Sequence, residues 1–117
     1  MSKKSSNSYL KLKNQEKVLS LQLDRQQHLV GRDRTLVDLL LPEDWQVVGR
    51  CQALLRKEGK NYRIYDGDSQ KPSTNGLYIN QTRITAEKGY LLRNGNELCI
   101  GQNPQNQVLS RYCNPNH

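Results

Sequence analysis

The chain has 117 residues, 34% of them hydrophobic, and its 18 Lys and Arg against 11 Asp and Glu leave a formal charge of +7. That length suits one domain with a single modest core, and a charged fraction of 25% is ordinary for a globular protein. The longest apolar run, Leu39–Leu41, is far short of the ~20 residues that span a bilayer, so no membrane span is expected.

Residues 1–8 read as a disordered, basic leader, polar and without periodicity. Its opening, Met1-Ser2-Lys3-Lys4-Ser5-Ser6, lacks the apolar segment of a secretory signal. The first 17 residues hold Lys3, Lys4, Lys11, Lys13 and Lys17 against Glu16 alone. Nucleic-acid binders concentrate such charge on a folded face or interleave it with aromatics; here it reads as a solvated tail, and nucleic acid is not expected as a partner. Tyr9–Lys13 and Leu19–Leu23 alternate apolar and polar residues around a turn at Asn14–Lys17, which predicts a hairpin with one buried face. Further strands are expected at His28–Arg32, Ala53–Lys57, Asn61–Asp66, Leu77–Asn80, Tyr90–Leu92, Glu97–Ile100 and Gln107–Tyr112. Turn signals separate them: Glu58-Gly59-Lys60, Asp66-Gly67-Asp68, Lys71-Pro72-Ser73, Asn94-Gly95-Asn96 and Asn103-Pro104. No segment keeps a 3.6-residue apolar period, so the class is all-β, an antiparallel sandwich or barrel. With no Phe and one Trp, its core must be filled by Leu, Val, Ile and the six Tyr. Two long segments break the rhythm, Asp33–Gln52 (with Trp45) and Gly67–Gly76. Long loops on a rigid β scaffold are where binding residues sit.

Little in the chain supports catalysis, a metal or a cofactor. His28 falls in an expected strand and His117 is the last residue, so no cooperating pair of histidines is expected. Cys51, Cys99 and Cys113 are odd in number and lack metal-ligand spacing, which argues for free thiols in a reduced, cytoplasmic compartment. Arg50 beside Cys51 could lower its pKa, but no base accompanies it. Asp66 and Asp68 could meet a cation, though paired carboxylates in a turn are commonplace. The Asn80-Gln81-Thr82 glycosylation match has no export signal to go with it.

A set of short segments in register carries more information. These are Leu29-Val30-Gly31-Arg32 with Asp38-Leu39-Leu40-Leu41-Pro42; Val48-Gly49-Arg50-Cys51-Gln52-Ala53-Leu54-Leu55; Tyr62-Arg63-Ile64-Tyr65-Asp66 with Ser73-Thr74-Asn75-Gly76-Leu77-Tyr78-Ile79-Asn80; and Leu92-Arg93-Asn94-Gly95-Asn96-Glu97-Leu98-Cys99-Ile100-Gly101. In order and spacing they resemble the forkhead-associated (FHA) domain, over about residues 9–112, with 113–117 left as a short tail or linker. The resemblance implies an eleven-stranded antiparallel β-sandwich of the SMAD/FHA-like type that binds phosphothreonine peptides through loops at one end. By family role Arg32 would contact phosphate or steady the peptide backbone, Arg50 would add charge, Thr74 would donate its hydroxyl, and Asn75 would bond the peptide main chain. Gly31 and Gly76 would be structural turn residues. The chemistry fits a phosphate, whose charge of about −1.5 to −2 asks for Arg and fixed hydroxyl or backbone donors. Each residue also has a plainer reading: Arg32 pairing with Asp33 or Asp38, Arg50 merely exposed, Asn75 making an Asn-Gly turn, Trp45 anchoring its loop rather than facing a peptide.

The sequence departs from the family pattern at the site. Gly49 stands where the family has its phosphate-contacting Ser, Gln52 where it has a buttressing His, and Leu77 where it has Thr. Backbone N–H of Gly49, or Arg50 or Arg34, could compensate, and Gln52 can still donate and accept. Three functions follow as expectations. One is a phosphothreonine-dependent interaction module docking a partner protein, or another domain of its own parent. A second is a degenerate FHA domain making phosphate-independent contacts, for example as the N-terminal regulatory module of an ABC-type transporter ATPase. The third is an anionic-surface or nucleic-acid binder working through the tail.

Overall fold

Apolar side chains at every second position put one face of a strand against a core and the other in water. The computed structural model, which describes residues 7–116, bears that reading out. The described residues form β1 (Ser8–Asn14), β2 (Lys17–Leu23), β3 (Gln27–Gly31), β4 (Leu39–Leu40), β5 (Ala53–Glu58), β6 (Asn61–Asp66), β7 (Leu77–Ile79), β8 (Thr82–Arg83), β9 (Tyr90–Leu91), β10 (Glu97–Ile100) and β11 (Val108–Cys113), with no helix. They build a six-stranded sheet in the order β2-β1-β11-β10-β7-β8 and a five-stranded sheet in the order β4-β3-β5-β6-β9. The all-β sandwich expected from the sequence is therefore present.

Three local details differ from expectation. The sandwich is not wholly antiparallel, because β3 and β4 pair in parallel. Strands β4 and β8, two residues each, are too short to show a period, and Leu39–Leu40 read only as an apolar patch in a loop. The β1–β2 turn is tighter than expected: Asn14 pairs with Lys17, which leaves Gln15 and Glu16 as the connection, Gln15 at φ 55°.

The boundaries of the ordered body shift by a residue or two. Most of the expected leader, residues 1–6, lies outside the described residues, but Ser8 pairs with Leu23. At the other end Cys113 pairs with Tyr9 in β11, and Asn114 is buried with its amide on Lys60 O at 2.9 Å.

Leu10, Leu12, Leu55, Ile64, Leu77, Leu92, Leu98, Ile100 and Val108 make the core between the sheets. Tyr62 and Tyr112 take the places that Phe would fill, each with its hydroxyl satisfied: Tyr62 donates to Arg25 O at 2.6 Å and Tyr112 to Asn61 Oδ1 at 3.0 Å. Trp45 is 2% exposed and anchors the long β4–β5 connection together with Leu41, Val47 and Val48. Burying a Trp removes about 150–250 Å² from water, roughly 4–6 kcal/mol, so this long loop is pinned to the core along its length.

His28 is also buried, on Tyr62 with ring centroids 6.0 Å apart, and its Nε2 accepts the Arg25 N–H at 3.1 Å. Burial pushes its pKa below the ordinary 6.5 against the pull of Asp24 and Asp38, with Arg25 adding to the lowering. Because the unfolded chain binds this proton more readily, stability is complete above pH 6.5 and falls as pH drops toward the depressed value. The melting temperature is expected to decline between pH 7 and 5, and a His28→Gln variant to lose that slope.

Candidate functional site

The loops after β3, β4, β6 and β10 meet at one end of the sandwich, joined by hydrogen bonds. Arg32 N–H donates to Gly49 O at 3.2 Å and Asp33 N–H to Arg50 O at 3.3 Å, so the β3–β4 and β4–β5 loops run side by side. The approach is close at Gly31, where a Cβ would fall 2.0 Å from Arg50 O. Gly31 closes β3 rather than making a turn, and its role is this clearance. Gly76 does sit in a turn, at φ 87°, with the Tyr78 ring 2.7 Å from where a Cβ would be.

A buried polar chain holds the loops in place. Asp66, at the end of β6 and fully buried, accepts Ser73 Oγ–H at 2.6 Å, Ser73 N–H at 3.2 Å and Arg83 NH2 at 3.1 Å. Ser73 Oγ in turn accepts Gly76 N–H at 3.0 Å and Gln52 Nε2–H at 3.0 Å. Gln52, also fully buried, donates to Gly76 O at 3.3 Å and accepts Gly49 N–H on Oε1 at 2.7 Å. Gln52 thus ties the β4–β5 loop to the β6–β7 loop. The same bond means that Gly49 N–H faces inward onto Gln52, which corrects the expectation that it could serve a ligand.

Two clefts open above this chain. One, of about 350 Å³, is lined by Gly49, Arg50, Lys71 and Thr74 among others; the second, of about 530 Å³, by Gln46, Thr74, Asn75, Tyr78, Asn103 and Asn106. Thr74 borders both and is exposed, and its hydroxyl takes no partner among the described residues. Of the four binding residues expected from the sequence, Arg50 and Thr74 meet at the first cleft and Thr74 and Asn75 at the second. Asn75 uses Nδ2 to hold Val47 O at 2.9 Å, and its amide oxygen has no partner among the described residues.

Arg32 lines neither cleft. Its Nε–H donates to Val48 O at 2.6 Å and NH1 to Glu43 O at 3.2 Å, so it braces the β4–β5 loop and pairs with neither Asp33 nor Asp38. Asp33 goes instead to Arg50, accepting Nε–H at 2.9 Å and NH2 at 2.5 Å. Hydrogen bonds from Thr35 and then Arg50 hold the Asp33 carboxyl down at about 2, so it is ionised throughout the neutral range. The Arg50 side chain is still 76% exposed and can turn toward an anion.

Two other features weighed in the sequence take definite surroundings. Burial raises the Cys51 thiol above its ordinary 9.0, with Asp68 and Asp33 adding to it and the opposing pull of Arg50 smaller. Asp66 is spent on Ser73 and Arg83, while Asp68 accepts the N–H groups of Gln70 and Lys71, so the two do not form a cation site. Sequence reasoning also missed residues. Lys71 puts a second cation on the first cleft, and its place just before Ser73-Thr74 was the available signal. Asn103 and Asn106 come from the amide-rich β10–β11 loop, which carried only a turn signature.

Comparison with known proteins fits this arrangement. The FHA domain family model matches residues 28–101. The chain belongs to the FHA family, whose domains are protein-interaction modules. Among solved structures it is similar to the Slr1951 protein from Synechocystis, with 26% identity, a TM-score of 0.74, and 91% of this chain and 96% of that one covered. It also resembles the FHA domain of CT664 from Chlamydia trachomatis, with 20% identity, a TM-score of 0.69 and coverage of 92% and 97%. A third is the FhaA FHA domain, solved in complex with the intracellular domain of Rv3910, with 20% identity, a TM-score of 0.62 and coverage of 87% and 99%. A search of the curated proteins found no match.

Proposed function

We propose that the chain is a non-catalytic module that docks a phosphothreonine-containing protein through the two clefts, in a cytoplasmic setting where its three free cysteines persist. The observation that carries this reading is the free hydroxyl of Thr74, shared by a cleft bearing Arg50 and Lys71 and a cleft lined by amides. In this reading the phosphate sits in the first cleft. Thr74 donates to it, Lys71 supplies charge, and Arg50 exchanges Asp33 for the phosphate oxygens. The peptide main chain lies over Asn75, and Arg32 holds the Val48–Gly49 backbone in position with its remaining N–H groups available to the peptide. FHA domains studied for phosphothreonine-dependent interactions share this fold at 20% identity and a TM-score of 0.62, which lends the reading support.

A second reading is favoured by Gly49 and by the Arg50–Asp33 pair. With no hydroxyl at 49 and Arg50 already engaged, the same clefts would suit a partner that needs no phosphate. Titration with matched phosphothreonine and threonine peptides, at low and near-physiological salt, separates the two, because salt screens the pull of the +7 charge on any anion. Thr74→Ala is expected to weaken the phosphorylated peptide about 10- to 150-fold, the loss of one hydrogen bond to a charged group. Its melting point should stay unchanged, since Thr74 is exposed. Arg32→Ala should abolish binding of the phosphopeptide. Equal binding of both peptides, lost with Thr74→Ala, would favour the second reading.

A further inference from the structure

The outer face of the six-stranded sheet carries charge and apolar surface that recognition by the loops leaves unused. The strand register places Val18, Lys13, Leu109 and Cys99 in one row across β2, β1, β11 and β10, and Ser20, Lys11, Arg111 and Glu97 in the next. Val18 is 50% exposed and Leu109 49%. Together with Lys11, Lys13 and Arg111 they border a trough of about 410 Å³.

Three features give the trough a preferred occupant. Lys11 and Arg111 are direct cross-strand neighbours, and like charges so placed repel. None of Lys11, Lys13 and Arg111 forms an ion pair among the described residues, although Glu97 lies beside Arg111. Lys13 is flanked on either side by the exposed apolar chains of Val18 and Leu109. Carboxylates would relieve the repulsion, and apolar side chains between them would cover Leu109 and Val18. The trough is also fixed to the recognition end: Asn14 Nδ2 donates to Asn106 O at 3.0 Å and Gln15 Nε2 to Gln105 O at 3.1 Å, which joins the β1–β2 hairpin tip to the β10–β11 loop.

We infer that this trough is a second docking surface, which takes an acidic segment of a partner protein with apolar residues among its carboxylates. It extends the partner contact beyond the loops and does not depend on recognition of phosphate there. A threonine-free Glu/Leu peptide, with Glu/Ser and Gln/Leu counterparts, is titrated into the full chain and followed by fluorescence anisotropy. The Glu/Leu peptide is expected to bind tightest. Replacing Lys11, Lys13 and Arg111 by Ala should weaken it about 3- to 150-fold, the combined effect of three exposed ion pairs. Leu109→Ser, which keeps the charge, should weaken it too. Arg32→Ala should leave it intact, so failure of the loop site and failure of the trough are read separately. Melting curves confirm that these surface variants fold. Equal binding of the Glu/Leu and Glu/Ser peptides, or indifference to the triple substitution, would overturn the inference. So would triple-substitution effects confined to anionic vesicles or oligonucleotides, or Leu109→Ser acting only on self-association.

Discussion

Replacing Gly49 by Ser is expected to strengthen binding of a phosphothreonine peptide by about 10- to 150-fold, the equivalent of roughly 1.5–3 kcal/mol for a hydrogen bond to a charged group. The position faces the cleft that holds Arg50, Lys71 and Thr74. There is room for the side chain: a Cβ at Gly49 would meet Cys51 O and Gln52 Oε1 at 3.4 Å and Ser73 Cβ at 3.7 Å, ordinary contacts. Its backbone is not in the left-handed region, so no conformational strain opposes the change. The bond from Gly49 N–H to Gln52 is a main-chain donor and is retained. The gain is measured by titration against the same phosphopeptide, and the unphosphorylated peptide should show none. Should Gly49→Ser leave affinity unchanged, the phosphate does not occupy this cleft.

The largest loss of stability is expected from Asp66→Ala, about 3–5 kcal/mol, as for a buried charge network that loses one partner. Asp66 receives both the hydroxyl and the N–H of Ser73, and Ser73 Oγ in turn fixes Gly76 and Gln52. Its removal leaves the Ser73 donors unsatisfied inside the sandwich and frees Arg83 from its ion pair. Loss should appear as a lower midpoint in urea with an unchanged slope, since the same surface is exposed on unfolding. Because the network positions Thr74 and Asn75, binding should weaken even where the variant remains folded. A midpoint shift below about 1 kcal/mol, the level of one ordinary hydrogen bond, would mean that the loops are held by apolar anchors such as Trp45 instead.

Much of the fold was legible because a half-buried strand writes its burial into the sequence. Strands β6 and β11 alternate buried and accessible residues at each step, and strands were expected there within a residue or so. Of the three two-residue strands only β9 was, since Leu39–Leu40 and Thr82–Arg83 are defined by their neighbours alone. The site was legible at the level of which residues gather: Arg50, Thr74 and Asn75 all reach the clefts. What each one does in the free protein was not. The plainer reading of Arg32, a pair with Asp33 or Asp38, does not form, because Arg32 turns to the carbonyls of Val48 and Glu43 while Asp33 reaches Arg50 of the following loop. Nor could spacing show that Gln52 would span from Gly49 to Ser73, a contact made only when the loops fold over each other.

Under the proposed function, phosphate is read at the cleft beside Thr74. Amide NMR spectra of the full chain, recorded while a phosphothreonine peptide pool and its unphosphorylated twin are added, test it most directly. Phosphate-dependent shifts are expected at Gly49, Arg50, Lys71, Thr74 and Asn75 and should persist at near-physiological salt. Shifts identical for the two pools, or shifts confined to Lys11, Lys13 and Arg111 on the sheet face, would contradict it.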